Sequence, residues 1–355
     1  MIVSANKYLR FSFFRAQLLL GFLLFLTNCI HDKNQYFING NTMGTTYRIK
    51  LVLSSNEINI EKIKNEIDTL LTNLNKQMSI WDSKSEISMF NSWKSSEPYT
   101  VSDGLINVID NSINISKKTD GLFDFTVYDL MRIWGFGPNP KSGIPNNNLV
   151  EKVLQNTGYE NIRIINKKLV KTNEKIKLDL NAIAKGYGVD KVFELLSLKG
   201  FENIFVEIGG EVRSSGKNRK NQRWSIGIED PSKNNITQNE ISAILYMNDG
   251  AVVTSGNYRN IVNLDGKILG HTINPKTGYP IQTDVLSVTV LSESCMKSDA
   301  WATALMVMNH AAGYKKVESN PDINAVWIVQ DAKDGKRYFS SSGNIKINKM
   351  IYPIK

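Results

Sequence analysis

The chain reads as an α+β protein: a single domain over residues 42–355, with a mixed or mostly antiparallel sheet and helices packed on it. Three observations point there. Short alternating runs recur along the chain, Val285–Val290 being the clearest, and a period of two marks strands. Some of these runs come in pairs around tight turns, as at Asp265–Gly266, which is the pattern of antiparallel hairpins. Between them lie stretches of helical period, such as Ile60–Met78 with Ile63, Ile67, Leu70, Leu71, Leu74 and Met78 on one face. At 355 residues and 41% hydrophobic composition the chain can bury a sizeable core. It carries no internal repeat and no low-complexity segment.

The first 28 residues are targeting sequence rather than fold. Lys7, Arg10 and Arg15 precede LLLGFLLFL at Leu18–Leu26, too short for a comfortable membrane span and suited to the core of a signal peptide. The LTNC that follows ends at Cys29 and resembles the lipobox of bacterial lipoproteins, with Asn28 where a small residue is usual. That resemblance implies a lipid on Cys29, a polar tether over residues 29–41 and an exported body. An uncleaved signal anchor, or a secretory signal with an incidental cysteine, are the alternatives. Cys295 is the only other cysteine, so an intrachain disulfide framework in the body is excluded. The net charge of +9 is scattered, with no basic run interleaved with aromatics, so nucleic acid is not an expected partner.

From Thr42, TMGTTYRIKLVL alternates into a first strand, and Gly44 after Met43 lets the backbone come close to a ligand. The helix Ile60–Met78 ends before a loop holding Trp81, and Ser85 caps a short helix with Met89 and Phe90. Val101–Lys118 is a second helical stretch. An aromatic, glycine-rich segment follows from Gly121 to Pro138, then a loop, then a helix Leu149–Asn156 capped by Asn148 and ended by Gly158. Asn161–Ile165 and Lys168–Lys171 form a hairpin. A strand near Lys175–Leu180 feeds directly into a helix Ala182–Leu198 that stops at Gly200. Phe201–Ile208, Trp224–Glu229 and Ile241–Met247 read as strands. Ala251–Asn260 reads as a turn of small residues carrying Arg259, which suits a phosphate contact or a surface ion pair. A hairpin over Asn263–Gly270 leads into His271, and Ala325–Gln330 with Arg337–Ser340 closes the chain.

Chemistry concentrates in two places. In the stretch from His271 to Thr303, a turn-forming HTINPKTGYP precedes a strand and a helix that opens at Ser298, with Asp299 in its first turn. Asp299 and Thr303 are four apart and share a helix face; a carboxylate and a hydroxyl so placed suit a hard cation such as Mg2+. The structural alternative has Asp299 answering the helix dipole and Thr303 bonding back to a carbonyl. The second place is the junction at LNAIAKGYG. A helix N-terminus there offers free N–H groups to phosphate, although the P-loop pattern is missing. Lys185 in the first turn is unfavourable unless an anion such as a pyrophosphate is near, or it reaches solvent. Asp179 can accept from an adenine or ribose edge, and Ala182 can offer only a carbonyl. Trp81 suits stacking on a flat ring or ordinary half-burial. His271 suits proton transfer or a structural role in its turn.

Taken in order, TMGTTY (Thr42–Tyr47), MSIWDSKSEISMFN (Met78–Asn91), DGLFDFTV (Asp120–Val127), WGFGP (Trp134–Pro138), KLDLNAIAKGYGVD (Lys177–Asp190), VEIGGEVRSSG (Val206–Gly216), WSIGIEDP (Trp224–Pro231), AVVTSGNYR (Ala251–Arg259) and the HTINPKTGYP turn with its DAWAT helix resemble the ApbE family of FAD:protein FMN transferases. One block is weak; the ordered set is specific and spans Thr42 to about Met308. The resemblance implies an ApbE-like, T-fold-like domain. It would take FAD as substrate, cut the pyrophosphate with Mg2+, and pass FMN to a Thr or Ser hydroxyl of an exported protein, releasing AMP. It places Met43, Trp81, Leu122, Phe123, Asp124, Asp179, Lys185 and Ile273 at FAD, and Ala182, Asp299, Ala302 and Thr303 at the metal, Ala302 through its carbonyl alone. It gives the catalytic roles to Asp299 and His271. The implied acceptors are flavin subunits of Nqr- or Rnf-type redox pumps, and the implied setting is a membrane-anchored lipoprotein facing the periplasm, at the inner membrane. A flavin pyrophosphatase, with water as acceptor, and a non-catalytic flavin-binding lipoprotein remain open on the same residues.

Overall fold

The structure is a computed structural model and describes residues 34–53, 58–231, 241–257, 261–343 and 345–354. The targeting segment, Cys29 and Arg259 lie outside these residues.

In chain order, β1 (Asn34–Thr42) and β2 (Thr45–Leu53) form a hairpin, followed by α1 (Ile60–Met78), α2 (Glu86–Ser92), β3 (Tyr99–Thr100), α3 (Asp103–Lys118), α4 (Tyr128–Ile133) and α5 (Asn147–Leu154). Then come β4 (Ile162–Ile165), β5 (Lys168–Lys171), α6 (Ala184–Leu198), β6 (Ile204–Ile208), β7 (Glu211–Ser215), β8 (Trp224–Glu229), β9 (Ile241–Met247) and β10 (Gly250–Gly256). The chain finishes with β11 (Ile261–Leu264), β12 (Lys267–Gly270), β13 (Val285–Ser292), α7 (Cys295–Val307), α8 (His310–Glu318), β14 (Asn324–Gln330), β15 (Arg337–Ser341) and β16 (Ile347–Asn348). The main sheet has eight strands in the order β1-β2-β6-β7-β10-β13-β14-β15, and its ladders are antiparallel. The α+β expectation with a mostly antiparallel sheet therefore holds.

The alternation of the strands explains the layering. On β14, Ala325, Trp327 and Val329 face the helical core while Val326 and Ile328 face the other way. On β6, Ile204, Val206 and Ile208 join the helices and Phe205 does not. A sheet buried on both faces needs apolar residues at both parities, and these strands have them. The second face is covered by the small sheet β16-β9-β8 through Trp224, Ile226, Ile228, Ala243 and Leu245. The result is three layers, helices on sheet on sheet. A satellite cluster of Leu130, Ile133, Trp134, Val150, Leu264 and Ile273 sits under the β11–β12 hairpin.

Five local expectations need correction. Residues 34–41, read as part of the tether, form β1: Tyr36, Ile38 and Thr42 supply enough inward contact, and β2 pairs with every residue from Asn34 to Thr42. Ala251–Gly256, read as a turn, lies in β10, because small residues are what fit beneath the closely packed α7. Lys175–Leu180 joins no ladder; instead the Asn91 amide clamps Leu178, donating to its carbonyl (2.9 Å) and accepting from its N–H (2.7 Å). Asn146, not Asn148, caps α5 by accepting the Leu149 N–H at 2.9 Å. The helix bearing Asp299 begins one turn earlier than Ser298, at Cys295, with Ser294 as its N-cap.

Candidate active site

The two chemical centres read from the sequence meet where α6 crosses α7. The crossing is close because Gly186 has no side chain: a Cβ there would lie 2.4 Å from the Cys295 carbonyl oxygen and 2.8 Å from Met296 Cα. At this distance the Gly186 N–H donates to Asp299 Oδ2 at 2.9 Å. Gly186 stands in the first turn of α6, where its N–H has no partner within the helix. Among the described residues, the Ala182 carbonyl receives no main-chain hydrogen bond. The contact satisfies an orphan donor of the helix start and orients Asp299, and the Ala182 carbonyl just outside α6 is open.

Asp190, one turn further along α6, fixes the start of α7. Its buried carboxylate accepts from Cys295 N (2.9 Å), Met296 N (3.0 Å) and Ser294 Oγ (2.7 Å), and from the Arg213 guanidinium at 2.6 Å. Orphan N–H groups of a helix start are normally satisfied locally; here an acid 105 residues away does it.

Lys185 is ion-paired with Glu211 at the start of β7. Burial works against its charge, yet the Glu211 and Asp299 carboxylates outweigh that and hold its ammonium above the usual lysine range. Burial pushes the Asp299 carboxyl up, opposed by Lys185 and by the Gly186 N–H. Glu211 is likewise raised by burial, with Lys185 opposing, and its Oε2 is buried without a hydrogen-bond partner. Two buried carboxyl groups thus face one ammonium.

Of the remaining candidates, Met43 touches α6 and Asp179 lies just ahead of it, while the others stand on separate segments. Met43 occupies the β1–β2 turn with φ 48°, a left-handed conformation rare for its type, and its Sδ and Cε lie over Gly188 of α6. Trp81 is 67% exposed, so its indole face is free to stack. Leu122 is half-buried, while Phe123 is buried in the core. Asp124 spends its carboxylate on local structure, accepting from Thr126 N, Thr126 Oγ1 and Tyr159 N, and burial pushes it up to about 6. Contacts to a ligand from Phe123 and Asp124 would therefore come from their backbone. Asp179 is tied to this segment through its N–H on Phe125 O (2.8 Å); among the described residues its carboxyl accepts the Asn181 N–H (2.9 Å), and burial pushes it up to about 6.

HTINPKTGYP folds as the expected turn. Asn274 accepts from Gly278 N (2.8 Å) and donates to Tyr279 O (2.9 Å), and Trp134 Nε1 donates to Gly278 O at 2.7 Å. Ile273 is buried and bridges Pro280. Phe136 meets the His271 imidazole edge-on at 6.4 Å between ring centroids.

The residues fit a divalent cation in part. Asp299, Thr303 one turn on, and the open Ala182 carbonyl are hard oxygen donors. Ala302 is fully buried in mid-helix, where its methyl carries no ligand atom and its carbonyl runs along the helical ladder. No group of three or more His, Cys, Asp or Glu able to hold a metal occurs among the described residues, so a cation here would complete its shell with substrate and water oxygens. Sequence reading missed Glu211 and Asp190 as members of the site. Glu211 directly after two glycines at a strand end was the available signal.

The profile of the ApbE family matches residues 43–327, and the chain belongs to that family. A protein of Vibrio cholerae described as an FAD:protein FMN transferase is 40% identical over 324 residues, 91% of this chain and 96% of that protein. A Haemophilus influenzae protein of the same description is 34% identical, covering 91% and 94%. Among solved structures, the flavin transferase ApbE from Vibrio cholerae superposes with a TM-score of 0.78 at 40% identity, over 87% of this chain and 97% of that one.

Proposed function

We propose that this chain is an FAD:protein FMN transferase that moves the FMN part of FAD onto a threonine or serine hydroxyl of an exported acceptor, releasing AMP, with Mg2+ as cofactor. The acceptor we propose is the flavin-bearing subunit of an Nqr- or Rnf-type redox pump. We further place the protein at the inner membrane, facing the periplasm, through a lipid on Cys29. Family membership supports the activity. The observation that carries the mechanism is the α6–α7 crossing, where the Gly186 N–H, the Lys185 ammonium and the Asp299 carboxylate converge.

The reaction forms a bond between the acceptor oxygen and the FMN-side phosphorus. It breaks the pyrophosphate P–O bond, AMP leaves with the electron pair, and the hydroxyl proton passes to a base. Bound Mg2+ would supply Lewis-acid neutralisation of the phosphate oxygens. Asp299, Thr303 and the Ala182 carbonyl would hold that ion. The Lys185 ammonium faces the same phosphates, and the positive start of α6 adds to it. Trp81 stacks on a flat ring of FAD, and Asp179 takes an N–H or hydroxyl edge. His271, on the HTINPKTGYP turn, accepts the hydroxyl proton.

The test uses the purified full chain in detergent with FAD, Mg2+ and a threonine-bearing acceptor domain, following AMP release and the acceptor's intact mass. An FMN-sized mass gain that EDTA abolishes is the expected result. AMP with free FMN and an unmodified acceptor would make the protein a flavin pyrophosphatase; FAD binding without AMP would make it a carrier. Asp299→Ala should fold and lose about 100- to 1,000-fold in turnover, the scale for a lost charge-stabilising group. Normal turnover by that variant at saturating Mg2+ would sink the mechanism.

A further inference from the structure

We propose that Glu211 is a positioning residue that holds the Lys185 ammonium away from Asp299, keeping that carboxylate open to a divalent cation. The inference rests on the metal role proposed above for Asp299.

The geometry sets up a competition. Asp299 is fastened to the main chain of α6 by the Gly186 N–H at 2.9 Å, immediately next to Lys185 in the chain. A four-carbon lysine stem attached one residue away can reach that carboxylate, and both Asp299 and Glu211 act on the Lys185 charge. Buried ammonium and carboxylate groups pair when nothing prevents it, because an uncompensated buried charge is strongly destabilising. In this structure Lys185 pairs with Glu211 instead.

Glu211 is placed to win. It is 4% exposed, and it opens β7, where it pairs with Ile208 across the antiparallel ladder to β6. Its backbone is therefore fixed by the sheet, independently of the α6–α7 crossing. Its second oxygen, Oε2, is buried without a partner and lies beside Gly209, 3.3 Å from where a Cβ would be. A carboxylate kept only for packing would be destabilised by that orphan atom, and replacement by an apolar residue would relieve it. Glu211 fits the different task of occupying Lys185. Among the described residues Asp299 then accepts only the Gly186 N–H, and a cation can bind without first breaking an ion pair.

Isothermal titration of MgCl2 into the full chain in detergent, without FAD, tests this apart from activity. Asp299→Ala serves as the control that defines the site. Glu211→Gln is expected to weaken Mg2+ binding about 10- to 100-fold, the usual scale for losing a group that supports a metal ligand. Adding Lys185→Met to Glu211→Gln should restore wild-type affinity, because no ammonium remains to capture Asp299; simple structural damage would not be repaired that way. Glu211→Asp, which keeps the charge, should bind near wild type. Lys185→Met alone should bind at least as tightly as wild type, so the prediction survives a Glu211→Gln protein that fails to fold. Unchanged affinity in Glu211→Gln, a weak double variant, or lost affinity in Lys185→Met would each overturn the proposal while leaving the Asp299 site standing. Mg2+ binding that survives Asp299→Ala would overturn the metal reading itself, and this inference with it.

Discussion

Replacing Gly186 by alanine separates two arguments with opposite signs. Helix propensity alone says that alanine in place of glycine within α6 stabilises by up to about 1 kcal/mol. The α6–α7 crossing says otherwise. The new Cβ would meet Cys295 O at 2.4 Å, Cys295 C at 2.7 Å and Met296 Cα at 2.8 Å, all backbone atoms that cannot rotate away. Ordinary carbon contacts are about 3.5 Å, so the two helices must part by about 1 Å. The Gly186 N–H would then stand near 3.9 Å from Asp299, roughly 1 Å beyond its present 2.9 Å and no longer a hydrogen bond. Overpacking of this kind costs about 1–3 kcal/mol. Loss of a hydrogen bond to a buried carboxylate adds about 1.5–3 kcal/mol. A shift of about 1 Å at a phosphoryl-transfer centre is expected to lower turnover about 100-fold. AMP release at saturating FAD and Mg2+, with thermal unfolding followed by circular dichroism, reads both effects. Gly188→Ala is the control: its Cβ would press on Met43 Cε at 3.1 Å, a flexible terminus that can move. A Gly186→Ala protein with wild-type melting and turnover would refute the claim that this crossing positions Asp299.

Trp81→Ala should raise KM for FAD about 3- to 10-fold with kcat nearly unchanged, the scale of one aromatic stacking contact; unchanged KM removes Trp81 from the site. Asp190→Ala takes the cap from α7 and leaves Arg213 unpaired, so chemical denaturation should show a loss of about 3–5 kcal/mol. Asp179 has a carboxyl raised by burial to about 6, so the folded chain holds a proton that the unfolded chain has released between its ordinary 3.8 and about 6. Its ionisation therefore lowers stability as pH rises through that window, by an amount on the order of 3 kcal/mol. Asp179→Asn should then raise the melting temperature more at pH 8 than at pH 4 in the absence of FAD; an equal effect at both would remove the linkage.

What the sequence reveals, and what it hides, follows from the range of the interactions involved. Val285–Val290 and Ala325–Gln330 were legible because a buried strand must alternate or run apolar, and both lie inside β13 and β14. The α6 start and the Asp299–Thr303 face were legible from helix spacing. β1 was hidden because most of its residues are polar and its partner supplies the order. The start of α7 at the local cap Ser294 is masked by a second serine, Ser298, and the Asp190 carboxylate that binds two of its first N–H groups lies 105 residues away in the chain. Glu211 was hidden for the same reason, since its partner Lys185 lies on another element 26 residues back. Asp124 reads as a ligand contact by resemblance, but its side chain is committed to Thr126 and Tyr159.

The early start of β1 shortens the leash. β1 begins at Asn34 on an edge of the sheet, and residues 30–33 connect it to Cys29. Even fully stretched, those steps span about 17 Å. A lipid on Cys29 would therefore moor the domain against the bilayer surface and restrict how far it can swing. The Met43 turn lies at the far end of β1, about 30 Å of strand from Asn34, so an acceptor would have to offer its hydroxyl within one domain's reach of the bilayer.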